Sequence, residues 1–391
     1  MLRNKKIRLF KPSVGSAELM NIKKIFKSAW LGYGNKVNEF ENKFSKFIGR
    51  KYAVGVNSGT AALHLALLSQ NFKKGRKVLV PSITFSATAA AVLYCGLTPV
   101  FVDVNLDDLN ISLEDLKRKY TKDCVALICV HMGGHLCEMD KIQPWAKKKK
   151  LFLIEDCAET CGAIYKNKKI GNWSDISCFS FEEKKIMTTG DGGMLVLDKK
   201  KDYEKLKSLS FHGWDIDPWK RHKLSFNKNK SFTKHWNYEI KNLGYKYNMN
   251  NLMAAIGLAQ FKKINSFNKK REIILKRYLQ GIKSCKYISP TYPYNLKNSS
   301  YWLFSINCDY RDDLINFLKK KNISTAVHFI PLPLNHLYKK FKRGKLNNAY
   351  NNWKKIISLP FFPDLNKKNV DYIINCLKTF DKKLIKKYET L

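Results

Sequence analysis

The residues best suited to chemistry lie in one run, Ser180-Phe181-Glu182-Glu183-Lys184-Lys185-Ile186-Met187-Thr188-Thr189-Gly190-Asp191-Gly192-Gly193. It holds a serine, two adjacent lysines, two threonines and three glycines between the apolar runs Ile176-Ser177-Cys178-Phe179 and Met194-Leu195-Val196-Leu197. Glycines let the backbone turn sharply and come close to a ligand. A lysine fixed in such a turn, partly desolvated between two strands, is a nucleophile suited to an aldehyde. A lysine-rich hairpin in a lysine-rich chain fits this stretch equally well, so the choice rests on the remaining residues.

Three other loops offer matching groups. Ser58-Gly59-Thr60 opens a helix at a strand end, where free N–H groups and the helix dipole suit a phosphate; an ordinary N-cap serine is the plainer reading. Asp156 follows Leu151-Phe152-Leu153-Ile154-Glu155, and there it could hold a protonated ring nitrogen or cap a helix. Phe85, after Pro81-Ser82-Ile83-Thr84, could lie flat on an aromatic ligand or join the core. A phosphate cradle, an aromatic lid, an aspartate for a pyridinium and a lysine for an aldehyde are together the needs of pyridoxal 5′-phosphate.

These groups need a scaffold that brings four loops to one edge. Apolar runs predict strands at 52–56, 77–80, 99–104, 125–130, 151–155, 176–179 and 194–197. Helical patterns fall between most of them, which predicts an α/β fold with a mostly parallel seven-stranded sheet. The runs are unbroken, as in strands covered on both faces. Ligands then sit beyond the carboxyl ends of the strands, at loops starting from Asn57, Pro81, Asp156 and Ser180. Residues 199–246 lose periodicity and read as a long loop, with a basic, asparagine-rich stretch reaching His235. Helical spacing returns from 251 to 282, as one long helix or a pair; the patterns at 301–306, 312–320, 326–329 and 369–380 predict a small α+β domain. The expected division is a large cofactor-binding domain, 1–260, carrying an N-terminal arm and the 200–246 loop, and a small C-terminal domain, 261–391.

Composition narrows the partners. The chain has 391 residues with a net charge of +40. The lysines are spread along the whole chain, and no helix-turn-helix, zinc finger or RNA-binding signature is present, so no nucleic-acid partner is expected. A small anionic substrate suits the charge as well. The ten cysteines include no C-x-x-C pair and read as reduced core residues, with no metal expected. No run approaches a membrane span and no signal region follows the basic start, so a cytoplasmic protein is expected.

The chain resembles the DegT/DnrJ/StrS-type sugar-nucleotide aminotransferases, perosamine-synthase-like members included, a group in the aspartate-aminotransferase-like fold (fold type I). The resemblance covers nearly the whole chain. It rests on residues 37–41, Asn57-Ser58-Gly59-Thr60-Ala61-Ala62-Leu63, 81–88, Ile154-Glu155-Asp156-Cys157-Ala158-Glu159, Ser180-Phe181 with Lys185 and Thr188-Thr189-Gly190-Asp191-Gly192-Gly193, Gly244-Tyr245-Lys246-Tyr247-Asn248-Met249, Val327-His328-Phe329 and 359–364. It implies that Lys185 forms the Schiff base and gives Lys184 no role. It implies that Asp156 pairs with the pyridinium nitrogen, that Gly59, Thr60 and Ser180 hold the phosphate, and that Phe85 stacks on the ring. Glu159 would sit near the 3′-hydroxyl or the sugar. Asn248 would reach the phosphate of the partner subunit, which implies a homodimer with shared sites. His212, Trp214, Arg221 and His328 are weaker candidates for the sugar-nucleotide side, taken mainly from loop position. Glu182-Glu183-Lys184 departs from the small or aromatic residues usual there, and Asp191 replaces a commoner glutamate.

The expected activity is transfer of an amino group from glutamate to a nucleotide-linked keto-sugar, at C4 of a 4-keto-6-deoxyhexose. The alternatives are a sugar C3-aminotransferase, a pyridoxal-phosphate sugar dehydratase (against which Lys185 argues, since such relatives carry histidine there) and, more distantly, a non-catalytic nucleic-acid-binding or regulatory paralogue.

Overall fold

The computed structural model describes residues 6–225, 236–296 and 299–389. The expected stretch to His235 lies partly outside these residues. Twelve strands occur among them: β1 Tyr52–Val56, β2 Lys77–Pro81, β3 Thr98–Val102, β4 Cys124–Val130, β5 Phe152–Asp156, β6 Ile164–Tyr165, β7 Lys168–Lys169, β8 Ile176–Ser180, β9 Gly193–Leu197, β10 Ser289–Pro290, β11 Phe304–Asn307 and β12 Ile356–Leu359.

Seven strands form the main sheet, in the order β1-β9-β8-β5-β4-β2-β3. Only β9 runs against the others. The architecture is therefore the expected α/β one. Val78, Leu79 and Val80 are wholly buried, as are Ile154 and the whole of Met194-Leu195-Val196-Leu197. Helices cover both faces, so these runs have no polar side to present. Helices α1 Ser16–Ser28, α2 Asn35–Ile48, α3 Gly59–Leu68 and α4 Ser86–Tyr94 supply much of that cover. In α2, Val37, Phe40, Phe44 and Ile48 face the core at the three-and-four spacing of a buried helical stripe.

Two apolar clusters organise the described residues. The larger surrounds the seven-stranded sheet and also takes in Tyr292, Trp302, Leu332 and Tyr338 from late in the chain. The second lies around the antiparallel sheet β10-β11-β12, with Tyr278 stacked on Phe304 at 4.6 Å between ring centroids. Trp302, just before β11, thus belongs to the large cluster while its strand belongs to the small sheet.

Two expectations need correcting. Residues 200–210 are a helix, Lys200–Ser210, not the start of a loop. Leu206, Leu209 and Ser210 are buried on one side, and its charged outer face hides the period. A further helix, Pro218–Ser225, follows within the same expected loop. Residues 326–329 form no strand; Ala326 makes only an isolated bridge to Ser358 in β12. The long helix or pair expected at 251–282 is a pair, Asn251–Phe261 and Ile264–Ile282.

Candidate active site

The carboxyl ends of β1 and β8 and the start of β9 meet at one point. Gly193 pairs with Val56 on one side and with Ser180 on the other. Immediately after β1, the Ser58 side chain accepts the Ala61 N–H at 3.1 Å and caps α3. The first N–H groups of that helix, at Gly59 and Thr60, then have no intrahelical acceptor. The helix start sits so close to β8 that a Cβ on Gly59 would lie 2.8 Å from the Ser180 Cβ. An anion-binding helix terminus and the Ser180 hydroxyl therefore face the same space.

Strand alternation separates two neighbouring carboxylates. Glu155 points into the protein and is saturated: it accepts from the Gly171 and Trp173 N–H groups, the Ser174 and Ser177 hydroxyls and the His131 ring. Burial alone would raise its pKa, but these hydrogen bonds, led by His131, hold it below the ordinary value. Asp156 points the other way, into a cavity of about 360 Å³. It accepts only the Thr88 hydroxyl at 3.1 Å and the Ala158 N–H at 3.1 Å. Burial pushes its pKa up, opposed by the Ala158 bond and by the charge of Lys185. Among the described residues it has no ion-pair partner.

Lys185 lines the same cavity, half-buried, with Nζ 3.9 Å from the Trp302 ring centroid. The Trp302 indole N–H donates to the Lys184 carbonyl at 2.8 Å, and Phe10 stacks on the indole at 5.2 Å. Lys184 borders the cavity as well, its amine 3.2 Å from Glu182 and 3.8 Å from Glu183. Gly133 joins this corner to the sheet. Its carbonyl accepts the Trp302 N–H at 2.9 Å, while its own N–H donates to Glu159 at 2.6 Å. Glu159 is 2 % exposed, and burial pushes its pKa up to about 7 against the pull of Lys185. His328 accepts or donates at Nδ1 to the Ser358 hydroxyl, 2.9 Å away. Burial, then the charges of Lys185 and Lys184, push its pKa down to about 4.

Gly59, Thr60, Phe85, Asp156, Glu159, Ser180, Lys185 and His328 thus all border one cavity. Phe85 is 56 % exposed, its ring 6.0 Å from that of Phe329, which also borders the cavity. Four other expected residues lie elsewhere. His212 and Trp214 line a separate open groove with Tyr238, and Arg221 packs over the Trp214 and Tyr238 rings. Asn248 is outside the cavity of its own chain, its side chain bonded to Lys246 and to the Met249 carbonyl. Sequence reasoning missed Trp302, Phe10, Thr88 and Gly133. Thr88 lay within a quoted motif; the other three carry no local signal.

The donor set fits pyridoxal 5′-phosphate: a helix terminus for the phosphate, a buried and ion-unpaired carboxylate for a ring cation, and an amine bordering the same cavity. Fold and site define an enzyme of the pyridoxal-phosphate type. Residues 12–378 match the DegT/DnrJ/EryC1/StrS aminotransferase family. The chain is 36 % identical over 377 residues to the spore coat polysaccharide biosynthesis protein SpsC of Bacillus subtilis, covering 94 % of this chain and 95 % of that protein. It is 35 % identical over 386 residues to the GDP-perosamine synthase of Escherichia coli O157:H7, covering 96 % and 99 %. The fold superposes on the putative sugar aminotransferase Spr1654 from Streptococcus pneumoniae in its PMP form, with a TM-score of 0.88 at 28 % identity over 96 % of this chain and 99 % of that one. Its PLP form gives a TM-score of 0.85 at 28 % identity over 97 % and 99 %. The chain belongs to the DegT/DnrJ/EryC1/StrS aminotransferase family. It is a sugar aminotransferase, and its cofactor is pyridoxal 5′-phosphate. Among the described residues no helix is long and apolar enough to cross a membrane.

Proposed function

We propose that the protein moves the amino group of glutamate to C4 of a nucleotide-linked 4-keto-6-deoxyhexose, giving a perosamine- or viosamine-type product. The likeness to a GDP-perosamine synthase and to a spore coat polysaccharide protein supports this choice of acceptor. The observation that carries the reading is the Lys185 amine bordering one cavity with Asp156, Glu159 and the start of α3.

Bound pyridoxal 5′-phosphate supplies an aldehyde carbon and an electron-accepting ring that carry the amino group between donor and acceptor. In this reading Lys185 holds the aldehyde carbon and then serves as general base and acid, moving a proton at the substrate carbon. Asp156 keeps the ring nitrogen protonated, a charge-assisted bond in a buried site. The Gly59 and Thr60 N–H groups and the Ser180 hydroxyl hold the phosphate. Phe85 covers the ring and helps to exclude water, and Glu159 lies toward the 3′-hydroxyl or the sugar.

Asn248 stands outside its own cavity, which fits a contribution to the site of a second subunit, and we propose a homodimer. His212, Trp214 and Arg221, equally remote from their own cavity, fit the sugar-nucleotide side of such a shared site, with His328 bordering the cavity directly. The domain division at 260/261 and a cytoplasmic location belong to the same reading.

The test is incubation with ¹⁵N-glutamate and UDP-, GDP- and dTDP-linked 4-keto sugars, with products read by mass and NMR. A ¹⁵N-bearing C4 amine is the expected product. Nitrogen at C3, or a sugar without nitrogen and free ammonia, overturns it.

A further inference from the structure

We infer that Lys184 is a receptor for the anionic group of the substrate, held ready by two placeholder carboxylates of its own turn. This rests on reading the cavity as the cofactor and substrate site. The residues bordering it include four carboxylates, Asp156, Glu159, Glu182 and Asp191, and only two lysines, Lys184 and Lys185. Both proposed substrates are anions, one a dicarboxylate and the other a diphosphate ester. Asp156 faces the ring cation of the cofactor in that reading; Glu182 and Asp191, with Glu159 where it is ionised, would unrelieved repel these anions.

Lys185 is not available to relieve it. Its Nζ lies against the Trp302 face, 3.9 Å from the centroid, and it is the amine the reaction uses. His328 is kept neutral near pH 7 by burial and by the two lysines beside it. Lys184 remains. Its root is fixed, because its carbonyl accepts the Trp302 N–H at 2.8 Å and its own N–H donates to Glu182 at 2.9 Å. Its tip is 47 % exposed and makes two ion pairs, to Glu182 at 3.2 Å and to Glu183 at 3.8 Å. Exposed pairs of this kind are weakly held. A substrate carboxylate or phosphate can replace Glu183 with little loss, and the glutamate returns when the substrate leaves.

That exchange suits a site that receives two different anions in turn. The amino donor must depart before the sugar nucleotide enters, so a permanently occupied cation would slow release. The same geometry explains why the turn carries Glu182-Glu183-Lys184: the glutamates hold the ammonium beside the cavity between turnovers.

The experiment uses holoenzyme and two unreactive probes, glutarate and GDP, titrated by calorimetry into wild type, Lys184→Gln and Lys184→Arg. Lys184→Gln is expected to weaken at least one probe by about tenfold, the loss of one charge-assisted contact, with Lys184→Arg within about threefold of wild type. Weakening confined to glutarate assigns the donor carboxylate; weakening confined to GDP assigns the nucleotide. Wild-type affinity for both probes in Lys184→Gln overturns the inference. Borohydride reduction and peptide mapping run beside it: a label at Lys185 with unchanged affinities refutes Lys184 alone, whereas no label at Lys185 removes the site reading and this inference with it.

Discussion

The Nζ of Lys185 lies over the Trp302 ring, 3.9 Å from its centroid, and the same indole donates its N–H to the Lys184 carbonyl at 2.8 Å. One side chain thereby sorts two adjacent lysines. Its face takes the Lys185 side chain, and its edge fixes the backbone of Lys184, whose own side chain pairs with Glu182. A cation over an indole is stabilised by about 0.5–2 kcal/mol, depending on desolvation. Trp302→Leu removes both contacts, and kcat is expected to fall roughly 3–30-fold, the same energy expressed as a rate. Trp302→Phe keeps an aromatic face without the N–H and should fall less. Equal losses in steady-state assays of the two variants would show that the face contributes nothing.

Asp156 has two hydrogen-bond donors and no ion-pair partner among the described residues, in a buried setting that disfavours its charge. Asp156→Asn preserves volume and one oxygen but removes that charge. A loss in kcat of about 10²-fold or more is expected, the scale of removing one preorganised electrostatic partner. Side-by-side kcat values and cofactor absorbance spectra check this. Full activity in the asparagine variant would mean the carboxylate is merely structural.

Part of this site was legible because its residues sit at strand ends within continuous motifs. Ser58 read as an N-cap and Asp156 as a residue at a carboxyl edge, and both lie there. Other parts come from sequence-distant segments. Trp302 follows no pattern pointing to Lys185, because its placement depends on Gly133, far away in the sequence, accepting its backbone N–H. The helix Lys200–Ser210 was hidden by the lysines on its outer face. Strand β12 escaped notice because it is only four residues long, Ile356–Leu359, between Lys355 and Pro360. His212, Trp214 and Arg221 were chosen by loop position; in the single chain the first two line another groove and Arg221 packs over Trp214.

Two buried groups give the apoprotein opposite pH responses. Burial pushes Glu159 from 4.5 up to about 7, so the folded state keeps a proton that the unfolded chain releases. Its contribution is complete below the unfolded value and is lost as pH rises through about 7. Burial pushes His328 from 6.5 down to about 4, so its contribution is present above pH 6.5 and lost as pH falls through about 4. Each swing is at most about 3–4 kcal/mol. Glu159→Gln should flatten the stability profile between pH 4.5 and 7, and His328→Asn the limb between pH 6.5 and 4, in urea titrations of apoprotein. Parallel profiles in wild type and variants would contradict both assignments.

Gly193 carries the packing on which the phosphate cradle depends. A Cβ there would stand 2.5 Å from the Ser58 carbonyl oxygen and 2.9 Å from the Gly59 nitrogen, both backbone atoms that cannot rotate away. Gly193 is also paired on both sides, to Val56 and to Ser180, so the strand cannot yield easily. Relief must come from displacing the start of α3, which separates its N–H groups from Ser180. Gly193→Ala is expected to lower stability by about 1–3 kcal/mol through overpacking, and to weaken cofactor retention as well. Gly190→Ala is the matched control. Gly190 has φ +88° with open space around its Cβ position, so alanine there adds backbone strain without touching the cradle. Cofactor dissociation followed by fluorescence during dialysis separates the two: faster release from Gly193→Ala alone ties the close approach of β9 and α3 to ligand binding, whereas equal release from both variants reduces Gly193 to a packing residue.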